Sequence, residues 1–420
     1  MRFVTDLSKG ILGKPDSAEM WQEIIANIPD EVFLKEDLKI LNIAFGHATE
    51  ADVIVKRMLS LGRTPEEIKN SIYLLDKYSV FTKDAKRKGY ANIIQADFIN
   101  WETNMKFDVI VGNPPYQNNH KKDADSKRKV GNKLWYQFIF KADNLVKKDG
   151  YVAMVSPNQW LTGGVNMRKG SMGVLKDIFA KKQLLTATVS GITQKYFKGI
   201  GISIGWWVYQ NSPITKKTRL NLDSSTMFID FNGLEFLSPE ANEESIGIVT
   251  KTLLAQNDKF ETYYFNSQCK PDVHKETEHP TTENIYPHWI MGSNVTNNLV
   301  LRYFPKVLNE RVNYKKIVFP MSTRYWQPYL TNKDTSVASL GQALKVDDAV
   351  TQQGFESVFY SKLFKYICFN LQIAQNGFMK TVLVKALPRL DMSKVWTDSQ
   401  LYSHFNLTQT EIDYIENVVK

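Results

Sequence analysis

Short, mostly apolar runs recur through the first half of the chain, and each is followed by an amphipathic or turn-like stretch. A strand that is covered on both faces of a sheet does not need to alternate, so such runs are typical of buried parallel strands. Strands are predicted at residues 38–42, 72–76, 92–98, 108–111 and 151–155, and an amphipathic helix at residues 134–146. Strands that alternate with helices in this way predict an α/β fold with a doubly wound sheet.

The alternation of strands and helices ends near residue 211, where a polar run begins with Asn-Ser-Pro. Such a run is typical of a linker, and 420 residues are about right for two domains. We therefore predict one domain at residues 1–211 and a second at residues 212–420. The second has short strands, helices and loops without an evident repeat, and a capping box at Thr408 and Glu411 predicts a final helix.

The strand at residues 108–111 leads into Gly112 and then into Asn113-Pro114-Pro115-Tyr116. In an open α/β sheet, ligands bind beyond the carboxyl ends of the strands. The prolines fix φ and leave carbonyl acceptors, and the Asn113 side chain adds an amide oxygen. Two acceptors on a planar ring amine would free the lone pair of its nitrogen, and the Tyr116 ring could stack on the ring that carries the amine. The tetrad therefore suits attack by an exocyclic amine on an electrophile, and the alternative is a proline-rich turn.

This stretch, FDVIVGNPPY, resembles motif IV of the S-adenosylmethionine-dependent amino-methyltransferases. It is most similar to the gamma-type N6-adenine DNA methyltransferases of restriction-modification systems. The resemblance implies a Rossmann-like, mostly parallel seven-stranded sheet, followed by a C-terminal mixed α+β target-recognition domain. It implies methyl transfer to the exocyclic amine of an adenine that is flipped out of the duplex. The catalytic roles fall to Asn113, Pro114 and Tyr116.

The resemblance also implies an S-adenosylmethionine site. Residues 42–48, NIAFGHA, resemble the family's cofactor loop, with Ile43 in place of a proline and Ala48 in place of the last glycine. In the family, an acid after the second strand accepts the ribose hydroxyls, and an acid with an aromatic after the third contacts the adenine. The implied cofactor-binding residues are Lys14, Pro15, Asn42, Ala44, Gly46, Asp76, Lys77, Asp97, Phe98 and Asn113. From the residues alone, an ordinary turn, a capping or solvated acid and a core phenylalanine remain open.

Further residues are candidates for binding the substrate. Residues 196–203 resemble motif VIII, in which an aromatic packs on the extruded base; Phe197 is the match and Tyr196 the alternative. A charged run at residues 117–133 is either a solvated loop or a contact to phosphates, and the basic and aromatic region 302–329 is either a groove reader or an ordinary surface. The predicted substrate-binding residues are Tyr116, Phe197, Lys121, Lys122, Arg128, Lys129 and Arg324.

The net charge of +9 is distributed unevenly. Residues 1–210 hold 31 Lys and Arg against 22 Asp and Glu, whereas residues 211–420 hold 22 of each kind. A basic patch around a site favours a polyanion, so double-stranded DNA is the predicted partner. No convincing nuclease cluster is present, and DNA cleavage would need a separate restriction endonuclease.

The remaining composition sets the expected compartment. Cys269 and Cys368 cannot form a disulfide framework and fit a reducing cytoplasm, which the resemblance places in a bacterial or phage-infected cell. No apolar stretch approaches 18 residues and no signal peptide is evident, so no membrane partner is expected. The histidines are scattered, and no metal site is expected.

Two other functions remain open. The first is methylation of a protein glutamine or of RNA, because the tetrad serves those amides and amines too. The large second domain argues against it. The second is a DNA-binding protein that has lost its cofactor through the changes at Ile43 and Ala48, and the intact tetrad argues against that.

Overall fold

The computed structural model describes residues 17–116, 134–162, 174–189, 195–197, 203–222, 225–232, 237, 242–264, 276–291, 299–305, 313–320, 327–337, 341–370 and 381–419. The chain divides into two compact units. The first comprises Met1–Glu235 and Pro239–Asn242, and the second comprises Phe236–Ser238 and Glu243–Lys420. Among the described residues, none of the helices has the length and apolar character that a membrane span requires.

A single sheet organises the described part of the first unit. Its strands are β1 (Ile40–Ile43), β2 (Ile72–Asp76), β3 (Asn92–Gln95), β4 (Phe107–Gly112), β5 (Val146–Pro157), β6 (Gln183–Thr188), β7 (Ile204–Gln210), β8 (Thr218–Asn221) and β9 (Thr226–Ile229). Their spatial order is β3-β2-β1-β4-β5-β7-β6-β8-β9. Pairing is parallel from β3 to β5, whereas β7 is antiparallel to both β5 and β6. The predicted α/β fold with a mostly parallel, Rossmann-like sheet is confirmed, and its first seven strands match the number that the resemblance implied.

Helices connect the parallel strands. They are α1 (Ala18–Ile25), α2 (Asp30–Phe33), α3 (Thr49–Ser60), α4 (Pro65–Ser71), α5 (Ser79–Arg87) and α6 (Trp135–Leu145). Ser17 caps α1 by accepting a hydrogen bond from the Met20 N–H at 3.3 Å, and Thr64 and Glu67 form a capping box on α4. The helix predicted at residues 134–146 is confirmed as α6. A 3₁₀ helix at Asn158–Thr162 and a π-helix at Val174–Phe179 follow β5.

Strand β4 is central and fully buried, although it carries an acid near its start. The Asp108 carboxylate accepts hydrogen bonds from Lys147 Nζ at 2.7 Å and from the Lys39 N–H at 3.0 Å, and Lys35 Nζ lies at 3.4 Å. Burial works to raise the pKa of Asp108, but these partners outweigh it and lower the pKa. The charge is therefore compensated at the amino end of β4, which leaves the carboxyl end for the Asn113-Pro114-Pro115-Tyr116 tetrad.

The first unit continues past the boundary predicted at residue 211. Strand β8 pairs in parallel with β6, and β9 pairs with β8. The Gln183 amide oxygen accepts hydrogen bonds from the backbone N–H groups of Thr215 and Lys216, and the Thr218 hydroxyl donates to the Leu184 carbonyl at 2.8 Å. These bonds attach the polar run to the sheet as a turn, so the division between the units falls at residues 235–243 instead.

The second unit is a mixed α+β arrangement. Its strands are β10 (Thr262–Tyr264), β11 (Tyr286–Met291), β12 (Leu299–Phe304), β13 (Lys316–Pro320), β14 (Tyr329–Thr331), β15 (Ser336–Val337) and β16 (Gly341–Lys345). They form an antiparallel sheet, β10-β16-β13-β14, and a three-stranded sheet, β12-β11-β15. Its helices are α7 (Glu243–Val249), α8 (Gln352–Phe359), α9 (Lys362–Lys365), α10 (Thr381–Ala386), α11 (Asp398–His404) and α12 (Gln409–Val418). Helix α12 begins at the predicted capping box of Thr408 and Glu411.

Candidate active site

The strand ends that carry the predicted site residues are neighbours in the sheet. Ile43, the last residue of β1, is paired with Gly112 at the end of β4 on one side and with Leu75 of β2 on the other. The loop after β1 therefore starts between the acid at the end of β2 and the tetrad after β4. Asn42, Asp76 and Asn113 come to one edge of the sheet, where an open α/β fold binds its ligands.

Gly112 is required by the close approach of β1 and β4. A Cβ atom at this position would lie 2.4 Å from the Ile43 carbonyl oxygen and 2.6 Å from Ile43 Cγ1. Side chains larger than hydrogen are therefore excluded at the residue that leads into the tetrad.

The tetrad is organised by a hydrogen bond within itself. The Tyr116 hydroxyl donates to Asn113 Oδ1 at 3.0 Å, and the Tyr116 carbonyl accepts from the Leu134 N–H at 3.0 Å. Pro114 is buried, whereas Asn113 and Tyr116 are half-buried. An amide oxygen has two lone pairs, so Asn113 Oδ1 can accept more than one hydrogen bond. The bond fixes the direction in which that acceptor points.

The loop after β1 uses left-handed backbone at three residues. The φ angles are +50° at Ala44, +51° at Gly46 and +59° at Ala48. The Ala44 N–H donates to the Leu75 carbonyl at 2.8 Å, and the Ala48 N–H donates to the Phe45 carbonyl at 2.7 Å. Ala48 thus adopts a backbone conformation that glycine reaches without strain. Position 48 is where the resemblance implied a glycine, and the alanine here has the left-handed φ that a glycine would favour.

Asp76 connects the end of β2 to this loop. Its Oδ2 accepts from the Gly46 N–H at 3.1 Å and its Oδ1 from the Tyr78 N–H at 2.9 Å. The carboxylate is buried, and burial raises its pKa against the opposing effect of these backbone hydrogen bonds. The backbone N–H of Lys77 is a third donor to this carboxylate. A carboxylate offers about four lone-pair sites, so one remains for a ribose hydroxyl.

Asn42 provides a test of whether the site suits a polar ligand. Its side chain is fully buried, and within the described residues neither its amide nitrogen nor its amide oxygen has a hydrogen-bond partner. Buried polar groups are normally satisfied. An unsatisfied donor and acceptor at the strand end below the loop fits a cofactor that carries both an amine and a carboxylate, as S-adenosylmethionine does.

The acid and aromatic after β3 have different environments. Asp97 Oδ2 pairs with Lys77 Nζ at 3.0 Å, a hydrogen bond that raises the pKa of Lys77, and Asp97 Oδ1 accepts from the Ile99 N–H. Phe98 is 2% exposed and stacks on Phe138 of α6 with ring centroids 5.4 Å apart. Phe98 therefore belongs to the core as it stands, and its packing on an adenine stays a prediction.

Tyr196 and Phe197, the two candidates for the base-stacking aromatic, differ in their contacts. The Tyr196 hydroxyl donates to Glu23 Oε1 of α1 at 2.8 Å, and Lys195 Nζ lies 4.5 Å from the centre of the Tyr196 ring. Burial raises the pKa of Tyr196 to about 12. Phe197 is half-buried beside the core of the first unit. Tyr196 is thus committed to α1, which favours Phe197 as the candidate.

Several predicted site residues lie outside the described part of the chain. They are Lys14, Pro15, Lys121, Lys122, Arg128, Lys129 and Arg324. In the basic and aromatic region 302–329, two described lysines bind backbone: Lys315 Nζ donates to the Asp348 carbonyl at 3.1 Å, and Lys316 Nζ donates to the carbonyls of Tyr314 and Asn332. Lys316 is fully buried, so it cannot contact a phosphate as the structure stands.

One group at the site was not predicted from the sequence. The Lys88 ammonium donates to the carbonyl of His47 in the loop after β1, at 2.7 Å, although 41 residues separate the two. Spacing alone gives no signal for such a contact.

Comparison with known proteins finds a family match for part of the chain. Residues 45–183 match the Eco57I restriction-modification methylase family. The match begins two residues after the end of β1 and spans the tetrad and β5, and it confirms the predicted resemblance for this segment. A stretch of 64 residues is 42% identical to an uncharacterized adenine-specific methylase of Mycoplasma pneumoniae (strain ATCC 29342 / M129 / Subtype 1), and it covers 15% of this chain and 14% of that protein.

Solved structures of restriction-modification proteins resemble this chain more distantly. They include the type IIG restriction endonuclease BpuSI (12% identity, TM-score 0.42, 96% of this chain and 60% of that chain). The type IIL enzyme MmeI, solved with DNA, has 9% identity and a TM-score of 0.44, over 90% of this chain and 65% of that chain. The M protein of the type I enzyme EcoKI has 12% identity and a TM-score of 0.35, over 50% of this chain and 47% of that chain. This chain thus spans about half of the EcoKI M protein. The fold assignment rests on the strand order and register of the sheet.

Proposed function

We propose that the protein is a DNA methyltransferase that transfers a methyl group from S-adenosylmethionine to the exocyclic N6 amine of adenine, in restriction-modification or phage protection. The observation that supports this most is the tetrad itself. It follows the central buried strand β4, adjoins the loop after β1, and lies in the segment that matches the methylase family.

In this proposal, the tetrad residues hold the reacting amine. Asn113 Oδ1 and the Pro114 carbonyl accept the two amine hydrogens, and the bond from the Tyr116 hydroxyl keeps Asn113 oriented. Tyr116 and Phe197 stack on the two faces of an adenine that has left the duplex, because its amine is inaccessible inside it. The bound cofactor supplies a methyl group on a positively charged sulfur. Holding the amine in line with that methyl supplies much of the rate, so no general base is named.

The cofactor and the DNA have separate candidate residues. Asn42, Ala44, Gly46, Asp76, Lys77, Asp97, Phe98 and Asn113 are proposed to bind S-adenosylmethionine, together with Lys14 and Pro15. The second unit is proposed to recognise the target sequence, and Lys121, Lys122, Arg128, Lys129 and Arg324 to contact double-stranded DNA. A partner endonuclease would then supply cleavage in the same cell.

The test is transfer of a labelled methyl group to unmethylated genomic DNA, with the modified nucleoside identified after digestion by its mass. We expect N6-methyladenine. Label in RNA or in protein glutamine, but not in DNA, would contradict the proposal and assign the tetrad to another substrate. Absence of cofactor binding would favour a DNA-binding protein instead, although the retained left-handed turn at Ala48 argues against that outcome.

A further inference from the structure

The loop after β1 is held from outside by three side chains that neither the motifs nor the proposed function includes. Lys88, which follows α5, donates through Nζ to the His47 carbonyl and to Asp52 Oδ2, each at 2.7 Å. Tyr90, which precedes β3, donates its hydroxyl to Asp52 Oδ1 at 2.6 Å. Asp52 lies in the first turn of α3. We name Lys88, Asp52 and Tyr90 the loop clamp.

The loop needs support because its backbone is strained. Ala44 and Ala48 both have positive φ, a backbone conformation that is unfavourable for an L-residue relative to the right-handed region. Such conformations persist only where the surrounding structure over-determines them. Inside the loop, hydrogen bonds from Ala44, Gly46 and Ala48 supply part of that constraint.

The clamp acts on the peptide plane next to the strained alanine. The carbonyl of His47 and the N–H of Ala48 belong to the same planar peptide, so a donor that fixes the carbonyl also restricts φ at Ala48. Asp52 positions the Lys88 ammonium, and Tyr90 positions Asp52. Burial together with the hydrogen bond to Asp52 raises the pKa of Tyr90, so its hydroxyl stays protonated as a donor.

We propose that Lys88, Asp52 and Tyr90 are positioning residues for the cofactor loop, and that they compensate for alanine at position 48 by holding the His47–Ala48 peptide in the ligand-binding geometry. The proposal rests on the proposed function in one respect, the assignment of the loop to S-adenosylmethionine. It adds Lys88, which binds the loop, and Asp52 and Tyr90, which position Lys88.

Removal of the clamp should weaken cofactor binding and leave kcat for methyl transfer nearly unchanged. Lys88→Met deletes a charge-assisted donor on a half-exposed surface, and we expect the Kd for S-adenosylmethionine to rise about tenfold. Glycine reaches left-handed φ without strain. The double variant Lys88→Met/Ala48→Gly should therefore recover most of the lost affinity.

The experiment is calorimetric titration of the full chain with S-adenosylmethionine, combined with thermal unfolding and with KM and kcat for methyl transfer. Lys88→Arg retains a donor and should bind nearly as the wild type does. The matched control is Lys86→Met, which removes an exposed charge at the end of the same helix; within the described residues its side chain has no hydrogen-bond or ion-pair partner. Asp52→Asn tests the second member of the clamp.

The expected result is a higher KM for S-adenosylmethionine in Lys88→Met and Asp52→Asn, with kcat and the KM for DNA nearly unchanged. The inference is overturned if Lys88→Met binds the cofactor as Lys86→Met does, or if Ala48→Gly rescues nothing while both variants keep the wild-type unfolding temperature. A wild-type protein that binds no S-adenosylmethionine overturns the cofactor part of the proposed function, and this inference with it. The two failures are therefore distinguishable.

Discussion

The two units place their polar residues in opposite ways. In the first unit, Asn42, Asp76 and Asn113 occupy the carboxyl ends of adjacent parallel strands and meet at one edge of the sheet. In the antiparallel sheet of the second unit, Lys316 and Gln342 are fully buried, and the Lys316 ammonium binds backbone carbonyls. Parallel strands bring successive strand ends together, so an ordered series of motifs becomes a site. In an antiparallel sheet, the carboxyl ends of neighbouring strands lie at opposite edges. The order of motifs in the sequence therefore reveals much less about which residues meet.

The largest expected effect comes from breaking the site at the edge of the first sheet. Asn113→Ala removes one of the two proposed acceptors for the amine and the partner of the Tyr116 hydroxyl. We expect methyl transfer to fall by at least about 10²–10³-fold, as for the loss of one preorganised polar group at a reacting centre. The measurement is single-turnover transfer to DNA that contains the target site.

The control for this variant is binding. Cofactor affinity and DNA affinity should change little in Asn113→Ala, and its circular dichroism should match that of the wild type. Loss of the fold would refute the assigned role, and so would retention of full transfer.

Much of the first unit could be predicted because its information is local. Each buried strand appears as an apolar run, and a residue at or just after its carboxyl end lies at the ligand edge, which is why Asp76 and Asn113 were predicted as site residues. The backbone at Ala48 could not be predicted, because an alanine in the sequence does not reveal a left-handed φ. Lys88 could not be predicted because its contact with His47 depends on how α5 packs in three dimensions.

The second unit shows where local patterns fail. The mixture of Lys, Arg, Tyr and Trp at residues 302–329 left a DNA-reading surface and an ordinary surface equally open, and it did not reveal that Lys316 is buried there. Composition also marked residue 211 as a boundary, whereas hydrogen bonds from Thr215, Lys216 and Thr218 join that segment to β6. A polar run is equally suited to a linker and to a surface turn, and only the partners of its backbone distinguish them.

Glycines at close approaches allow the two units to be destabilised separately. A Cβ at Gly112 would lie 2.4 Å from the Ile43 carbonyl oxygen, and one at Gly354 would lie 1.9 Å from the Met392 carbonyl oxygen. Both contacts are with backbone, which yields little, so Gly112→Ala and Gly354→Ala should each lower the free energy of unfolding by about 1–3 kcal/mol. Urea unfolding measures both.

Cofactor binding separates the two glycine variants. Gly112→Ala should also weaken S-adenosylmethionine binding, because Ile43 leads directly into the cofactor loop. Gly354→Ala should leave that affinity unchanged. Equal loss of cofactor affinity in both would contradict the assignment of the cofactor to the first unit.

A smaller effect is expected at the buried lysine of the second unit. Burial lowers the pKa of Lys316 to about 8, against the opposing charge of Asp334. Between that value and the ordinary lysine pKa of 10.5, the unfolded chain binds more protons than the folded one, so stability rises with pH across this window. Lys316→Met should remove this contribution to the slope, and Lys315→Met should retain it. Urea unfolding from pH 7.5 to 10.5 is the measurement, and identical slopes in the two variants would contradict the prediction.

The smallest expected effect is at the junction of α1 with the motif VIII segment, where the first unit resembles the second in using polar side chains for support. Glu23 accepts from the Tyr196 hydroxyl and pairs with Lys195 at 2.9 Å, but the partners are largely exposed, and exposed ion pairs contribute little. Glu23→Gln should therefore reduce the fluorescence gain of 2-aminopurine at the target base by only about twofold, because the position of Phe197 becomes less fixed.

Asp30→Asn, which breaks the exposed pair with Arg57, is the matched control and should leave the fluorescence at the target base unchanged. An equal effect in both variants would show that Glu23 supports the fold alone, and an effect as large as that of Asn113→Ala would place Glu23 in the site itself.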